Sequence, residues 1–339
     1  MKLNFEQIQS ITFGAVEVTQ ESDGIHFHRF NKAQREYYKA TSEANFYRKS
    51  FATSGIKLQF LTDSKKLVLD MDISSASSRN YYAVDVFVNG QRIGSIDNLY
   101  DTMPEDYTQV PVCIGDTKKS FPLGEGMKKV CIYLPWSACI ALKAMELDDG
   151  AALEAVKPSK KLLAFGDSIT QGYDAKHPSN KYITKLAEAL DAQEFNRAIG
   201  GEEFVPQIAQ DETLEDPDYI TVAYGTNDWS HSTREGLIQR CTDMYSILSR
   251  KYPKAQIYAI TPIWREDWEQ EKPAGPFHDV ETIIRDAVKE LPNVKVIRGF
   301  DAVPENIHLY ADLRLHPNDE GFAYYFESLW NKIYSVEEV

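Results

Sequence analysis

No stretch of the chain is long and apolar enough to span a bilayer. The first ten residues, MKLNFEQIQS, hold no apolar segment of signal-peptide length, because Glu6 and Gln7 interrupt it early. A cytoplasmic protein is therefore expected. Positive charge is in short supply as well: 37 Lys and Arg face 51 Asp and Glu, a net charge of −14. An acidic surface repels nucleic-acid phosphates and anionic headgroups, which argues against nucleic acid and membrane as partners. Cysteine is scarce. Cys113, Cys131, Cys139 and Cys241 form no CxxC pair and sit in apolar contexts such as VCIYL, so reduced core thiols are expected. Internal repeats and low-complexity tracts are missing too.

What the chain does have is length and two kinds of periodicity. Its 339 residues exceed the usual size of one domain. From about residue 10 to 148 the pattern is β, with runs at Gly55–Phe60, Lys66–Ile73, Tyr82–Val88, Gln91–Ile96, Lys129–Leu134 and Ile140–Leu147. Thr62-Asp63-Ser64-Lys65 joins the first two runs, and Asn89-Gly90 between the third and fourth is a strong hairpin signal. Only Lys32–Tyr38 suggests a helix there. Many short strands separated by turns argue for a β-sandwich, jelly-roll-like, over residues 1–150. A polar segment around Asp148–Lys160, with Gly150 and Pro158, suggests a linker at 151–158.

Residues 159–339 alternate strand and helix, which is an α/β pattern. Strand-like runs are Leu162–Phe165, Phe195–Ala198, Tyr219–Tyr224, Gln256–Ile260 and Val294–Ile297. Helical runs are Tyr182–Leu190, Arg234–Arg250, Val280–Glu290 and Glu320–Ile333. This rhythm predicts a five-stranded parallel sheet covered on both faces, with its site at the carboxyl ends of the strands.

Four short motifs fall at those ends. Gly166-Asp167-Ser168 follows the first strand, and glycine there lets the chain turn sharply beside a serine hydroxyl. Gly200-Gly201 follows the second, where a backbone N–H could serve an oxyanion. Gly225-Thr226-Asn227-Asp228 follows the third and offers a side-chain amide donor. Leu315-His316-Pro317 precedes the last helix, and Pro317 restricts His316 to extended backbone. Each alone reads as an ordinary turn. Their order and placement, however, allow one crevice to hold all four.

Together they resemble the four blocks of the SGNH (GDSL-like) hydrolases, over roughly Lys161–Ile333. That resemblance implies a flavodoxin-like catalytic domain in which Ser168 attacks an ester carbonyl and His316 moves its proton. It implies an oxyanion hole formed by the N–H groups of Ser168 and Gly200 and by the Asn227 side chain, and it requires no metal or organic cofactor. The family usually places an aspartate three residues before the histidine. Here that position is Leu313, and Asp312 stands four before. A one-residue bulge could bring Asp312 to the imidazole; otherwise a Ser–His dyad operates, or Asp312 pairs with Arg314 or solvent.

A β-sandwich followed by this domain is similar to carbohydrate esterase family two, whose members remove acetyl groups from polysaccharides or oligosaccharides, some of them with a dyad. The resemblance implies an acetylated oligosaccharide or a small-molecule ester as substrate. Trp229, Trp264 and Tyr173 are the candidate sugar-facing aromatics. Trp268 reads as structural, and His278-Asp279 as a helix start. A lipase or thioesterase, a transacylase and a non-catalytic carbohydrate-binding protein are the competing readings.

Overall fold

The computed structural model describes residues 1–99 and 115–337. Cys113 lies outside the described residues. In the N-terminal half, a capped helix α1 (Phe5–Ser10) precedes short strands β1 (Thr12–Phe13), β2 (Glu17–Gln20) and β3 (Ile25–His28). None of these was apparent from periodicity, since two- to four-residue strands show too few alternations. Helix α2 (Lys32–Ser42) runs a turn beyond the predicted Tyr38 and passes into a π turn at Glu43–Tyr47.

The remaining strands of this half are β4 (Lys57–Thr62), β5 (Lys66–Ser75), β6 (Ala83–Val88), β7 (Gln91–Asp97), β8 (Asp116–Pro122), β9 (Lys128–Tyr133) and β10 (Ala138–Glu146). They form two antiparallel sheets, ordered β1-β4-β9-β6-β7 and β2-β3-β10-β5-β8. The Thr62–Lys65 turn therefore carries the chain from one sheet to the other. The β6–β7 hairpin turns at Asn89 and Gly90, both at positive φ (48° and 82°), as a two-residue hairpin loop requires. Leu58, Phe60, Leu67, Leu69, Val84 and Ile132 fill the space between the sheets. Within the expected linker, β11 (Glu154–Ala155) pairs with β4, so this stretch is pinned to the sandwich.

The C-terminal half contains a parallel five-stranded sheet ordered β13-β12-β14-β15-β16, made of β12 (Lys160–Gly166), β13 (Ala192–Asn196), β14 (Tyr219–Ala223), β15 (Gln256–Ile260) and β16 (Val294–Ile297). Strand β13 begins three residues before the predicted run. Glu194 masked it: a carboxylate in a strand reads as a break, yet here Lys181, Thr184 and Asn196 donate to it in the interior. Helices α3 (Ser168–Gln171), α4 (Tyr182–Ala189), α5 (Pro206–Gln210), α6 (Thr226–His231), α7 (Arg234–Lys251), α8 (Asp279–Val288) and α9 (Asp319–Glu337) complete it. Among the described residues, no helix is long and apolar enough to cross a membrane.

The two halves share a core. Phe30, Tyr38, Tyr81 and Trp136 pack into the same cluster as Leu163, Phe165 and Ile199. Arg29, fully buried, donates to the carbonyls of Ala52, Lys49, Asn196 and Ala198, tying the first half to the end of β13.

Candidate active site

Gly166 ends β12 where a Cβ would lie 2.3 Å from the Thr170 hydroxyl, so only glycine permits the turn. Asp167 caps α3 by accepting from the Ile169 N–H (3.0 Å), which sets Ser168 as the first helical residue. Burial pushes the Asp167 carboxyl up to about 7, against that bond and the field of His316.

The Ser168 hydroxyl lies 2.7 Å from His316 Nε2, and His316 Nδ1 lies 2.6 Å from Asp312 Oδ2. An Nδ1–H donating to the carboxylate leaves Nε2 free to accept the serine proton. The bulge needed for the unusual spacing is present: Leu313 adopts φ 53°, a left-handed conformation. This wraps the chain around Asp312, whose Oδ1 accepts the backbone N–H groups of Arg314, Leu315 and His316 at 3.1, 2.8 and 3.0 Å. Burial alone would raise the Asp312 carboxyl, but the bonds from His316 and these amides hold it well below the usual carboxylate range. The Arg314 side chain turns away to Asp267.

Asn227 lies in the first turn of α6, and its Nδ2 donates to the Glu202 carbonyl at 2.9 Å, leaving a second amide hydrogen. The expectation for Gly200 needs correction. Its N–H donates to Gln171 Oε1 at 2.8 Å, and its carbonyl accepts from Lys49 Nζ at 2.6 Å. The next residue, Gly201, has φ 91°. Among the described residues, neither the Ser168 N–H nor the Gly201 N–H donates a hydrogen bond within the protein.

The aromatics are corrected as well. Trp229 is fully buried, its Nε1 bonded to the Gly275 carbonyl and its ring covered by Phe277 and Arg265. It cannot present a face to a sugar. Trp264 is also buried, against Tyr310. Tyr173 lies beside His316, ring centroids 5.6 Å apart, with Trp136 on it at 5.0 Å. It is 3 % exposed, so it buttresses the imidazole rather than forming a pocket wall. Trp268 packs on His278 and Phe300, as a structural residue would, and Asp279 begins α8.

Three features escaped the sequence. Asp174, fully buried, sits with Oδ2 3.6 Å from His316 Nδ1. Arg79 and Tyr81, from the N-terminal half, donate to it. Glu202 accepts from the hydroxyls of Tyr38 (2.6 Å) and Tyr224 (2.7 Å), and burial pushes it up to about 8. These contacts join residues distant in sequence, and no local motif announces them. Asp174, Asp312 and His316 offer three ligand atoms within 4.8 Å, but these already bond to one another or to Arg79, Tyr81 and backbone amides. A second such group, Glu21, Asp23 and His26, is on the β2–β3 hairpin.

A serine at a strand's carboxyl end, linked through histidine to a carboxylate on a parallel sheet of this order, defines the class of acyl-ester hydrolases. Residues 164–324 match the model of the GDSL-like Lipase/Acylhydrolase family. No curated protein sequence matches the chain. Among solved structures, it is similar to the salicylyl-acyltransferase SsfX3 from a tetracycline biosynthetic pathway (TM-score 0.78, 19 % identity, covering 96 % of this chain and 94 % of that one). It is also similar to the acetyl xylan esterase Est2A from the rumen bacterium Butyrivibrio proteoclasticus (0.65, 15 %, 100 % and 98 %). A family two carbohydrate esterase from Clostridium thermocellum in complex with cellohexaose is a third (0.64, 16 %, 85 % and 94 %). At these identities the likeness is one of fold, and it extends through both halves.

Proposed function

We propose that the protein is a serine esterase that removes acetyl or other short acyl groups from carbohydrates, acetylated oligosaccharides in particular, through an acyl-enzyme on Ser168. The observation that carries this reading is the unbroken line from the Ser168 hydroxyl through His316 to Asp312. Ser168 Oγ attacks the ester carbonyl while His316 Nε2 takes its proton; Asp312 holds the ring and stabilises the imidazolium. The tetrahedral oxyanion rests on the N–H groups of Ser168 and Gly201 and on the free amide hydrogen of Asn227. Collapse expels the sugar hydroxyl, protonated by His316. Water then attacks the acyl-serine by the same route, releasing the acid and restoring Ser168.

The carbohydrate assignment draws its support from the sandwich-plus-hydrolase architecture shared with the carbohydrate esterases, not from aromatic platforms. The test measures turnover of nitrophenyl esters from two to twelve carbons, together with acetate release from acetylated xylo- and cello-oligosaccharides. Preference for acetate and release from the sugars is the expected result. Preference for eight carbons or more, with the acetylated sugars untouched, points instead to a lipase or thioesterase. Acyl transfer to an added alcohol in place of hydrolysis would make it a transacylase.

A further inference from the structure

Asp174 stands in a place where a carboxylate has consequences. It follows α3, six residues beyond the nucleophile, with φ 71° and no solvent exposure. A non-glycine residue held in left-handed backbone persists only where its surroundings over-determine it, and such positions gather at active sites. The surroundings here come from the other half of the chain. Arg79 donates from Nε to Oδ1 (2.7 Å) and from Nη2 to Oδ2 (2.9 Å), and the Tyr81 hydroxyl donates to Oδ1 at 2.6 Å. The Arg79 guanidinium also covers the Tyr173 ring, 5.4 Å from its centroid, and that ring buttresses His316. The Oδ2 atom is left 3.6 Å from His316 Nδ1.

We propose that Asp174 is a second positioning carboxylate for His316: held by Arg79 and Tyr81 of the N-terminal half, it stabilises the imidazolium formed when Ser168 gives up its proton. The inference rests on the catalytic reading of Ser168 and His316. It makes the β-sandwich half a working part of the active site rather than an appended binding module.

A plain interdomain clamp would need the Arg79–Asp174 pair but not its direction. Asp174 lies between Arg79 and the imidazole, so the negative end of the pair meets the ring. Among the described residues, the charged and titratable groups around His316 are few. Its own loop brings Asp312, α3 brings Ser168 and Asp167, the segment after α3 brings Tyr173 and Asp174, and Arg79 and Tyr81 stand behind Asp174. Arg314 is engaged with Asp267. An opposite charge within ~4–6 Å favours the protonated imidazole, and a like charge disfavours it.

Removing the two charges therefore shifts the base in opposite directions. In the pH profile of kcat/KM on nitrophenyl acetate, Asp174→Asn is expected to move the acid limb down by about 1 pH unit, because the imidazole then loses its proton more readily. Arg79→Gln moves the same limb up. Asparagine tolerates left-handed backbone, so the first change adds no strain. Should it leave Arg79 too exposed to fold, the charge-free pair Arg79→Gln with Asp174→Asn carries the test, its limb expected below that of the wild type. Lower melting temperatures with unmoved limbs in every variant would overturn the proposal and leave a structural clamp. Fluorophosphonate labelling of the wild type separates the two levels. If Ser168 is not labelled, the catalytic reading itself fails. If it is labelled and the limbs stay put, only the role of Asp174 fails.

Discussion

At residue scale, the site is decided by which polar groups are already satisfied. Asn227 keeps an amide hydrogen in reserve after bonding the Glu202 carbonyl. Asn227→Ala is expected to lower kcat by about 10²–10³-fold with little change in KM, measured by steady-state kinetics. Gly200 has no reserve, and a Cβ there would meet the Tyr173 ring at 2.5 Å. Gly200→Ala should therefore act through the displaced Tyr173 and His316, lowering the melting temperature as well as activity. Glu202 gives a pH signature. Its carboxyl is raised to about 8 by burial, against the pull of Tyr38 and Tyr224. A raised carboxyl binds a proton more tightly folded than unfolded, so its contribution to stability is lost as pH climbs from its ordinary range to about 8. Glu202→Gln removes that loss. The melting temperature of the variant relative to wild type should rise between pH 5 and about 8; a constant difference would contradict the argument.

At the scale of elements, much of the site lay open in the sequence. Ser168, Asn227 and His316 stand at strand ends or before a helix, where glycine, asparagine and proline punctuate the chain, and the structure places Ser168 and His316 in contact. Gly200 reads in the sequence as a free backbone donor because nothing local shows that Gln171 takes its N–H. The tryptophans misled because sequence cannot tell a buried indole from an exposed one beside the same loop. Asp312 was left among alternatives. Spacing says nothing about Leu313 adopting φ 53°, and it is the gathering of three amides on Asp312 that makes this conformation hold. Asp312→Ala removes both the hub of this turn and the partner of His316 Nδ1. It should lower kcat by about 10³–10⁴-fold while leaving KM within a few-fold.

At the scale of the whole molecule, the periodicity of each half was plain, yet their union was not. The joining contacts are buried and polar: Arg29 to the end of β13, Lys49 to Gly200, Tyr38 to Glu202, Arg79 to Asp174, and the Trp136 indole to the Ala175 carbonyl. Hydrophobic patterning cannot report such contacts, and the fully buried arginine would be misread as surface. Arg29→Met would leave four carbonyls short of a donor, a cost of about 1–3 kcal/mol or more. Because the halves share one core, calorimetry of the wild type should show one unfolding transition.

The central claim is that acyl groups pass through Ser168. Intact-protein and peptide mass spectrometry, on samples quenched during turnover of nitrophenyl acetate, tests it directly. The account predicts an adduct of about 42 Da, the mass an acetyl group adds in replacing the hydroxyl hydrogen of an acyl-serine, on the peptide holding Ser168, absent in Ser168→Ala. Turnover by Ser168→Ala at the wild-type rate, or an adduct on another residue, would contradict it.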